Sequence, residues 1–414
     1  MTLPLTRHEA LSAWQDFLPK VSAYSSRRNH VEPAHHNVSR LSAALRYRLI
    51  TEDEILHDTL QAYDFSTAEK WLQEVCWRRY WKGWLEMRPG VWSSWRQRVK
   101  ILRSTLPESV LQRAEKVAAG ESGVACMDAI AHELITTGYL HNHARMWWAS
   151  FWIHAERLPW ELGAEWFFRH LLDADPASNT LSWRWVAGLQ TPGKTYLVKK
   201  SNIEKYAPEL LLHHHAGSDR IADGAVSPVV AVEFAETARQ ALTDYSATIT
   251  PSERRVGLWL HADDLHSESG PLANLTPVTI AAFSSEHRYR QSYRLSERRI
   301  AALGDVLADG LARASVHFQC PALLSKEDDP AASICAWAAT HGLQEVAALA
   351  PTAGPVADLV PRLRQLLTSA DIKLTLLRRA SDAHAFTLAG AGFFPFWEKM
   401  SRHLHQQSSL STAR

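Results

Sequence analysis

The sequence predicts a two-part chain. An all-helical N-terminal half covers residues 1–212, and a C-terminal α/β half covers 251–414, built on a five-stranded parallel sheet of Rossmann-like type. Residues 213–250 read as the linker and connecting segment between them. Three observations lead there. Of the 17 Trp, all but Trp259, Trp337 and Trp397 precede residue 190, so the two halves differ in chemistry. Apolar residues recur at helical spacing in the first half, and in short β-branched runs in the second. With 414 residues the chain is long enough for two cores of ordinary size.

In the first half, segments 40–62, 66–87, 108–119, 124–136, 141–157 and 161–172 each carry the three- and four-residue spacing of a helix with one apolar face. Strand signals are nearly absent there. LLHHHAGSDRIADGAVSP then mixes small and turn-forming residues without a period, as a linker does. The adjacent His213, His214 and His215 read as solvated side chains within it. Five runs follow that suit strands: VGLWLH (256–261), VTIAAF (278–283), SVHFQ (315–319), EVAALA (345–350) and IKLTLL (372–377). Between them LSERRIAALGDVLADGLARA and VADLVPRLRQLLTSA are helical in pattern, and that alternation implies a parallel sheet covered by helices. No GxGxxG follows the first strand, so the glycine fingerprint of dinucleotide binding is missing there.

A hydrophobic share of 46% and a charged share of 21% are those of a globular protein. No apolar run approaches the roughly 20 residues of a membrane helix, and the N-terminus lacks the basic and apolar regions of a signal peptide. Cys76, Cys126, Cys320 and Cys335 form no CxxC pair, which argues for reduced thiols in a cytoplasmic protein. The net charge of +1 gives no electrostatic argument for a nucleic-acid binder, although a local basic face remains open.

Chemistry concentrates in four segments of the first half. GYLHNHARMWWASFW places Asn142, Met146 and Ala149 on one helix face with Arg145 beside them. WLQEVCWRRYW puts Trp71, Glu74 and Arg78 on one face, with Trp77 adjacent. DADPASNTLSWRW supplies Asp173, Asp175, Asn179, Trp183 and Trp185. NVSRLSAALRYRLIT offers Ser39, Arg40 and Ser42 where a helix begins, a setting suited to phosphate. Each has a plain structural reading as core, helix cap or N-cap. Together they suit a large planar, phosphorylated cofactor better than simple packing.

In this order and spacing the four segments resemble the FAD-binding domain of the DNA photolyase and cryptochrome family, over roughly residues 20–190. The resemblance implies FAD as cofactor. It assigns Tyr24 and Arg28, then Ser39, Leu41 and Ser42, to its phosphate side. Trp71 and Arg78 become pocket residues, Arg145 and Asp173 a salt bridge beside the isoalloxazine, and Asp175 the acceptor for its N3–H. Asn179 faces flavin N5. Glu74 and Trp77 are similar to the residues that meet a pyrimidine dimer, and Asn142 and Met146 to those touching both substrate and flavin. Trp183 and Trp160 match the inner and middle members of a photoreduction relay, whose surface member falls near Leu106, with Trp92 or Trp95 as substitutes. His143 stands where an arginine is usual. The second half resembles the family's antenna domain, through VGLWLHADDL and FTLAGAGFFPFWEKM. That domain normally comes first, so the chain reads as circularly permuted. His261 and Ala262 replace the arginines of the family's first loop, which leaves the antenna chromophore undetermined.

Two functions follow from the resemblance. One is a deoxyribodipyrimidine photolyase that repairs UV-induced dimers in DNA by blue-light-driven electron transfer, the lesion being flipped into the pocket. The other is a cryptochrome-like photoreceptor or photoreductase that signals through a protein partner. A light-independent flavin oxidoreductase using a nicotinamide is a third, which the missing glycine fingerprint disfavours. UV-damaged DNA is expected to bind weakly, with affinity rising as pH falls toward about 6.5, where an unperturbed His143 would gain charge. No membrane partner is expected, and the oligomeric state stays open.

Overall fold

The structure, a computed structural model, describes residues 2–190, 195–221, 239–246 and 254–412, and of residues 407–412 only the backbone. Much of the expected connecting segment, including residues 222–238 and 247–250, lies outside the described residues. By contact the chain divides into two compact units, one of residues 1–3, 22–40 and 89–238, the other of residues 4–21, 41–88 and 239–414. This is not the division by composition. Residues 4–21 and 41–88, expected with the helical half, group with the sheet.

The second unit holds the expected sheet. Strands β1 (Val256–Leu260), β2 (Thr279–Phe283), β3 (Ala322–Ser325), β4 (Glu345–Leu349) and β5 (Lys373–Leu377) lie in the order β3-β2-β1-β4-β5. All pairings are parallel, with Leu258 level with Ile280 on one side and Ala347 on the other. A buried cluster that includes Trp259, Ile334, Trp337, Val346, Leu363 and Leu367 packs one face. A side chain at Gly257 would run into Trp337 and Leu343, so glycine is required there.

One expected strand is wrong. SVHFQ is the end of the helix Glu297–Phe318, and the third strand starts at Ala322 instead. The helix stripe through Ile300, Leu303, Val306, Leu307, Leu311 and Ala314 is buried and continues to that end, whereas Val316 is 79% exposed. The alternation that suggested a strand joins exposed Val316 to half-buried Phe318, which a helix turns to different sides. Gln319, in the left-handed region at φ 52°, ends the helix.

The expected helix 40–62 is two, Ser42–Tyr47 and Glu52–Ala62. Arg48 turns left-handed at φ 53°, and Thr51 starts the next helix through a capping box with Glu54. What joins this segment to the sheet is buried charge. Arg48 donates to Asp264 (2.7 Å) and Asp382 (2.8 Å), and Arg379 donates to Asp264 at 2.7 and 2.9 Å. Arg46 reaches Asp263 at 2.9 Å, and within residues 41–88 Arg79 reaches the half-exposed Asp53 at 2.6 Å. The long helix Phe65–Glu86 packs along Ala380–Leu388, where the Gly83 backbone meets Phe386 too closely for any side chain.

The first unit is helical, with Gly90–Thr105, Glu108–Ala118, Ala125–Thr137, Asn142–Ser150, Trp160–His170 and Pro176–Val186 as its main elements. The expected helix 141–157 changes at Phe151–Ala155 into a π-helical turn. Trp147, Trp148, Phe151, Trp152 and Trp183 fill its interior. Among the described residues no helix is long and apolar enough to cross a membrane.

Candidate functional site

In the first unit the polar constellation is built on a spacing of four. Asp175 is the N-cap of Pro176–Val186, where its Oδ1 accepts from the Ser178 N–H at 2.8 Å. Asn179 and Trp183 follow at one and two turns, so the three residues share a face. Asn179 is buried, and its Nδ2 donates to the Ala164 carbonyl at 2.9 Å. That bond fixes the amide orientation and leaves its second N–H available. Two residues before the cap, Asp173 accepts from Arg145 Nη2 at 2.9 Å, and Arg145 Nε holds the Leu140 carbonyl at 2.9 Å. The Asp173 side chain is 2% exposed and that of Arg145 22%, so the pair is largely out of water.

Trp183 is buried, and its indole N–H has no acceptor among the described residues. A methyl at Gly163 would collide with its ring, which explains a glycine inside Trp160–His170. Its ring neighbours are Phe167 at 5.1 Å and Trp148 at 6.2 Å, both edge-on. Trp148 in turn stacks on Trp166 at 4.2 Å and on Trp152 at 5.2 Å. Trp160, the expected middle relay member, is buried, and among the described residues its N–H also has no acceptor. Leu106 ends Gly90–Thr105, and the possible substitutes Trp92 and Trp95 are buried 5.1 Å apart.

Asn142 is exposed, with its amide 4.0 Å from the sulfur of half-buried Met146, so the expected shared face is present. Tyr24, Arg28 and Ser39 are half-buried in the same unit. His143 corrects an expectation. It is 8% exposed, its Nδ1 donates to the Asn29 carbonyl at 2.9 Å, and its ring lies on Trp147 and Tyr206. Burial pushes its pKa below the ordinary value. Burial thus works against a charge on His143, opposite to the expected gain of charge, and an arginine put there would have to be buried. His141 beside it caps Asn142–Ser150, its Nδ1 accepting from the His143 N–H at 3.1 Å. Burial, with His35, His143 and Arg145 nearby, pushes His141 down to about 3.

In the second unit, Leu41 is fully buried and Ser42 opens a helix of six residues. Arg78 donates to the Ser42 carbonyl at 3.1 Å, which brings two of the expected cofactor residues together. Trp71 is packed between Trp14, stacked at 5.7 Å, and Phe17, with its N–H on Thr59 at 3.2 Å. Glu74 is half-buried on the same helix. Trp77 is half-buried, and one face of its indole lies flat against Phe393, centroids 3.6 Å apart and planes at 7°. Sequence reasoning missed Phe393 as a neighbour, because nothing local links residues so far apart. At the ends of β1 and β2, beside Trp259, His261 and Tyr289, the cavity is only about 30 Å³, space for a water. A larger one of about 730 Å³, with Asp53, His57, Arg79, Arg379 and His403 among its walls, lies elsewhere in this unit.

Chemically, a guanidinium, two carboxylates and an oriented amide suit a ring edge that alternates N–H and C=O groups. Each is anchored by at least one protein bond. The donor set of the first unit therefore fits an isoalloxazine. Residues 71–209 match the family model of the FAD binding domain of DNA photolyase. The chain is 31% identical over 182 residues to the deoxyribodipyrimidine photo-lyase of Salmonella typhimurium, a match covering 42% of this chain and 37% of that protein. It is 30% identical over 173 residues to the Escherichia coli protein of the same name, covering 40% and 35%. The chain thus spans little more than a third of the length of these relatives. Among solved structures it is similar to a bacterial class III photolyase from Agrobacterium tumefaciens (23% identity, TM-score 0.43, 58% of this chain and 53% of that one). It is also similar to a cryptochrome from Synechocystis (21% identity, TM-score 0.45, 57% and 53%).

Proposed function

We propose that this chain, a photolyase-type FAD-binding protein over the part the family model matches, carries out blue-light-driven electron transfer with UV-damaged DNA as its substrate. The observation that carries the reading is the buried Arg145–Asp173 pair next to the Asp175, Asn179 and Trp183 face. Bound FAD supplies the light absorption and the one-electron chemistry. The chain's own residues bind, orient and exclude water. Arg145 holds Asp173 in place, Asp175 accepts a ring N–H, and Asn179 offers its remaining amide proton. Tyr24, Arg28 and Ser39 in the first unit, and Leu41, Ser42, Trp71 and Arg78 in the second, are the further cofactor residues the resemblance assigns. Trp183 is the electron donor for photoreduction, restored by a small thiol from solution. Trp148 and Trp166 continue from it as ring contacts, beside the Trp160 route. Glu74, Trp77, Asn142 and Met146 are the residues for the lesion.

We read the order of the two halves as a circular permutation, which is supported by a FAD-domain match ending at residue 209 and a parallel sheet beginning at Val256. A second reading, a photoreceptor without repair that signals through a protein partner, draws on buried His143 where the family usually has arginine. One experiment separates them. Reduced protein is illuminated with thymine-dimer DNA, single- and double-stranded, and thymine recovery is measured. Recovery supports repair. Bound FAD that is photoreduced without any recovery leaves the photoreceptor.

A further inference from the structure

Trp77 belongs to a cluster of rings, with Trp81 tilted against it at 5.2 Å. Phe393 lies flat on Trp77 at 3.6 Å and 7°, Trp397 is parallel to Phe393 at 6.4 Å, and Phe65 is stacked beyond Trp397 at 6.0 Å. The cluster is held in several places. Tyr80 donates its hydroxyl to the Ala391 carbonyl at 2.9 Å, and Arg88 donates to the Gly390 carbonyl at 3.1 Å, fixing the turn that leads into Phe393. Trp397 donates its N–H to Glu69 at 3.2 Å. Tyr80 stands edge-on at 5.6 Å to both Trp77 and Phe393, closing the side of the pair. Phe393 is 5% exposed, yet Trp77 remains only half-buried. Trp77 is thus held by Phe393, Tyr80 and Trp81 while part of it stays open to solvent.

We infer that Phe393 is a positioning residue: it backs Trp77 so that the opposite indole face is a fixed platform on which a flipped pyrimidine stacks. This rests on the proposed function, which gives Trp77 the lesion. An indole with one face in van der Waals contact cannot swing about its side-chain torsions without breaking the stack. The rotamer entropy of the platform is therefore lost on folding rather than on binding. A base added to the outer face extends the stack by one ring, and such stacking tolerates any base, since each has a π-face. Phe393 touches no substrate and acts only through Trp77.

The test uses the full chain with FAD bound and two oligonucleotides, identical except that one carries a single cyclobutane thymine dimer. The readout is the ratio of the two affinities. Wild type should prefer the dimer. Trp77→Ala should cut that preference by between about fivefold and about a hundredfold, the usual range for losing one stacked aromatic. Phe393→Leu, which keeps apolar bulk but not a flat ring, should lose about tenfold of it. FAD content and undamaged-DNA affinity should be unchanged in Phe393→Leu, and Phe393→Tyr should restore the preference. The Trp77→Ala and Phe393→Leu double variant should be no worse than Trp77→Ala alone. Wild-type preference kept in Phe393→Leu but lost in Trp77→Ala would make Phe393 mere packing and overturn the inference. Equal affinities in wild type would overturn it too, while retained FAD would leave the flavin reading standing. Protein that takes up no FAD would instead sink that reading.

Discussion

At the scale of single residues, Arg145 and His141 give opposite lessons about buried charge. Arg145 shields Asp173, so Arg145→Ala leaves a carboxylate largely out of water with its charge partner gone. Breaking a buried pair in this way costs about 3–5 kcal/mol, and partial exposure of Arg145 places this case toward the lower end. The expected result is a fall in FAD bound per protein, read from flavin absorbance, together with a lower melting temperature. His141 works by staying neutral. Its pKa falls from an ordinary value near 6.5 when unfolded to about 3 when folded. The unfolded chain then binds more protons between those values. Stability is complete above about pH 6.5 and is lost as pH falls, by at most about 1.4 kcal/mol per unit. Melting temperatures at pH 7.5 and 5 should drop more in wild type than in His141→Asn, which can keep the cap. An equal drop would mean that His141 does not set the acid sensitivity.

At the scale of elements, the helix Pro176–Val186 was not among the expected helices, although its signals lie in the sequence. A capping aspartate, a proline at the first turn and polar then aromatic residues every four positions are local signals, and all appear in the structure. The capping box of Thr51 and Glu54 is equally local. SVHFQ misled because exposed Val316 and half-buried Phe318, alternating with polar residues at the end of a helix, imitate a strand. The burial of His143 was hidden for a different reason, since its partners Asn29 and Tyr206 lie far away in sequence. The relay belongs to this scale as well. Trp183→Phe keeps a ring in the space that Gly163 provides but is much harder to oxidise. Light-driven flavin reduction should slow severely with FAD content nearly unchanged. Trp148→Phe should slow it in part if the Trp148–Trp166 contact carries charge, and transient absorption of the two variants reads the difference.

At the scale of the whole molecule, the second unit is organised around Asp264, which accepts from both Arg48 and Arg379. Burial works against its ionisation, but the two guanidinium groups prevail and hold its carboxyl well below the usual range. Asp264→Asn would leave two buried cations short of a counter-ion, and a loss of about 3–5 kcal/mol should appear in denaturant unfolding. Because the folded pKa is depressed, the same contribution in wild type is present above about pH 3.9 and fades as pH falls below it. The ADD stretch in which Asp263 and Asp264 lie was read only as part of a first-strand loop. Pairs formed across such distances leave no periodic trace, so the tie between residues 41–88 and the sheet was illegible, although both pieces were visible.

That tie has a consequence for how the chain is made. Arg48 and Asp382 are 334 residues apart. At the roughly 5–20 residues per second of translation, Arg48 leaves the ribosome tens of seconds before its partner exists. During that interval the segment carrying Arg46, Arg48 and Glu52 has none of the Asp263, Asp264 and Asp382 carboxylates to settle against, and closing so long a loop is slow once they arrive. Ribosome-bound chains halted near residue 250 should therefore show fast amide exchange over residues 41–88 and protection over Trp160–His170 and Pro176–Val186. The helices that come first in the sequence would then be among the last to become native.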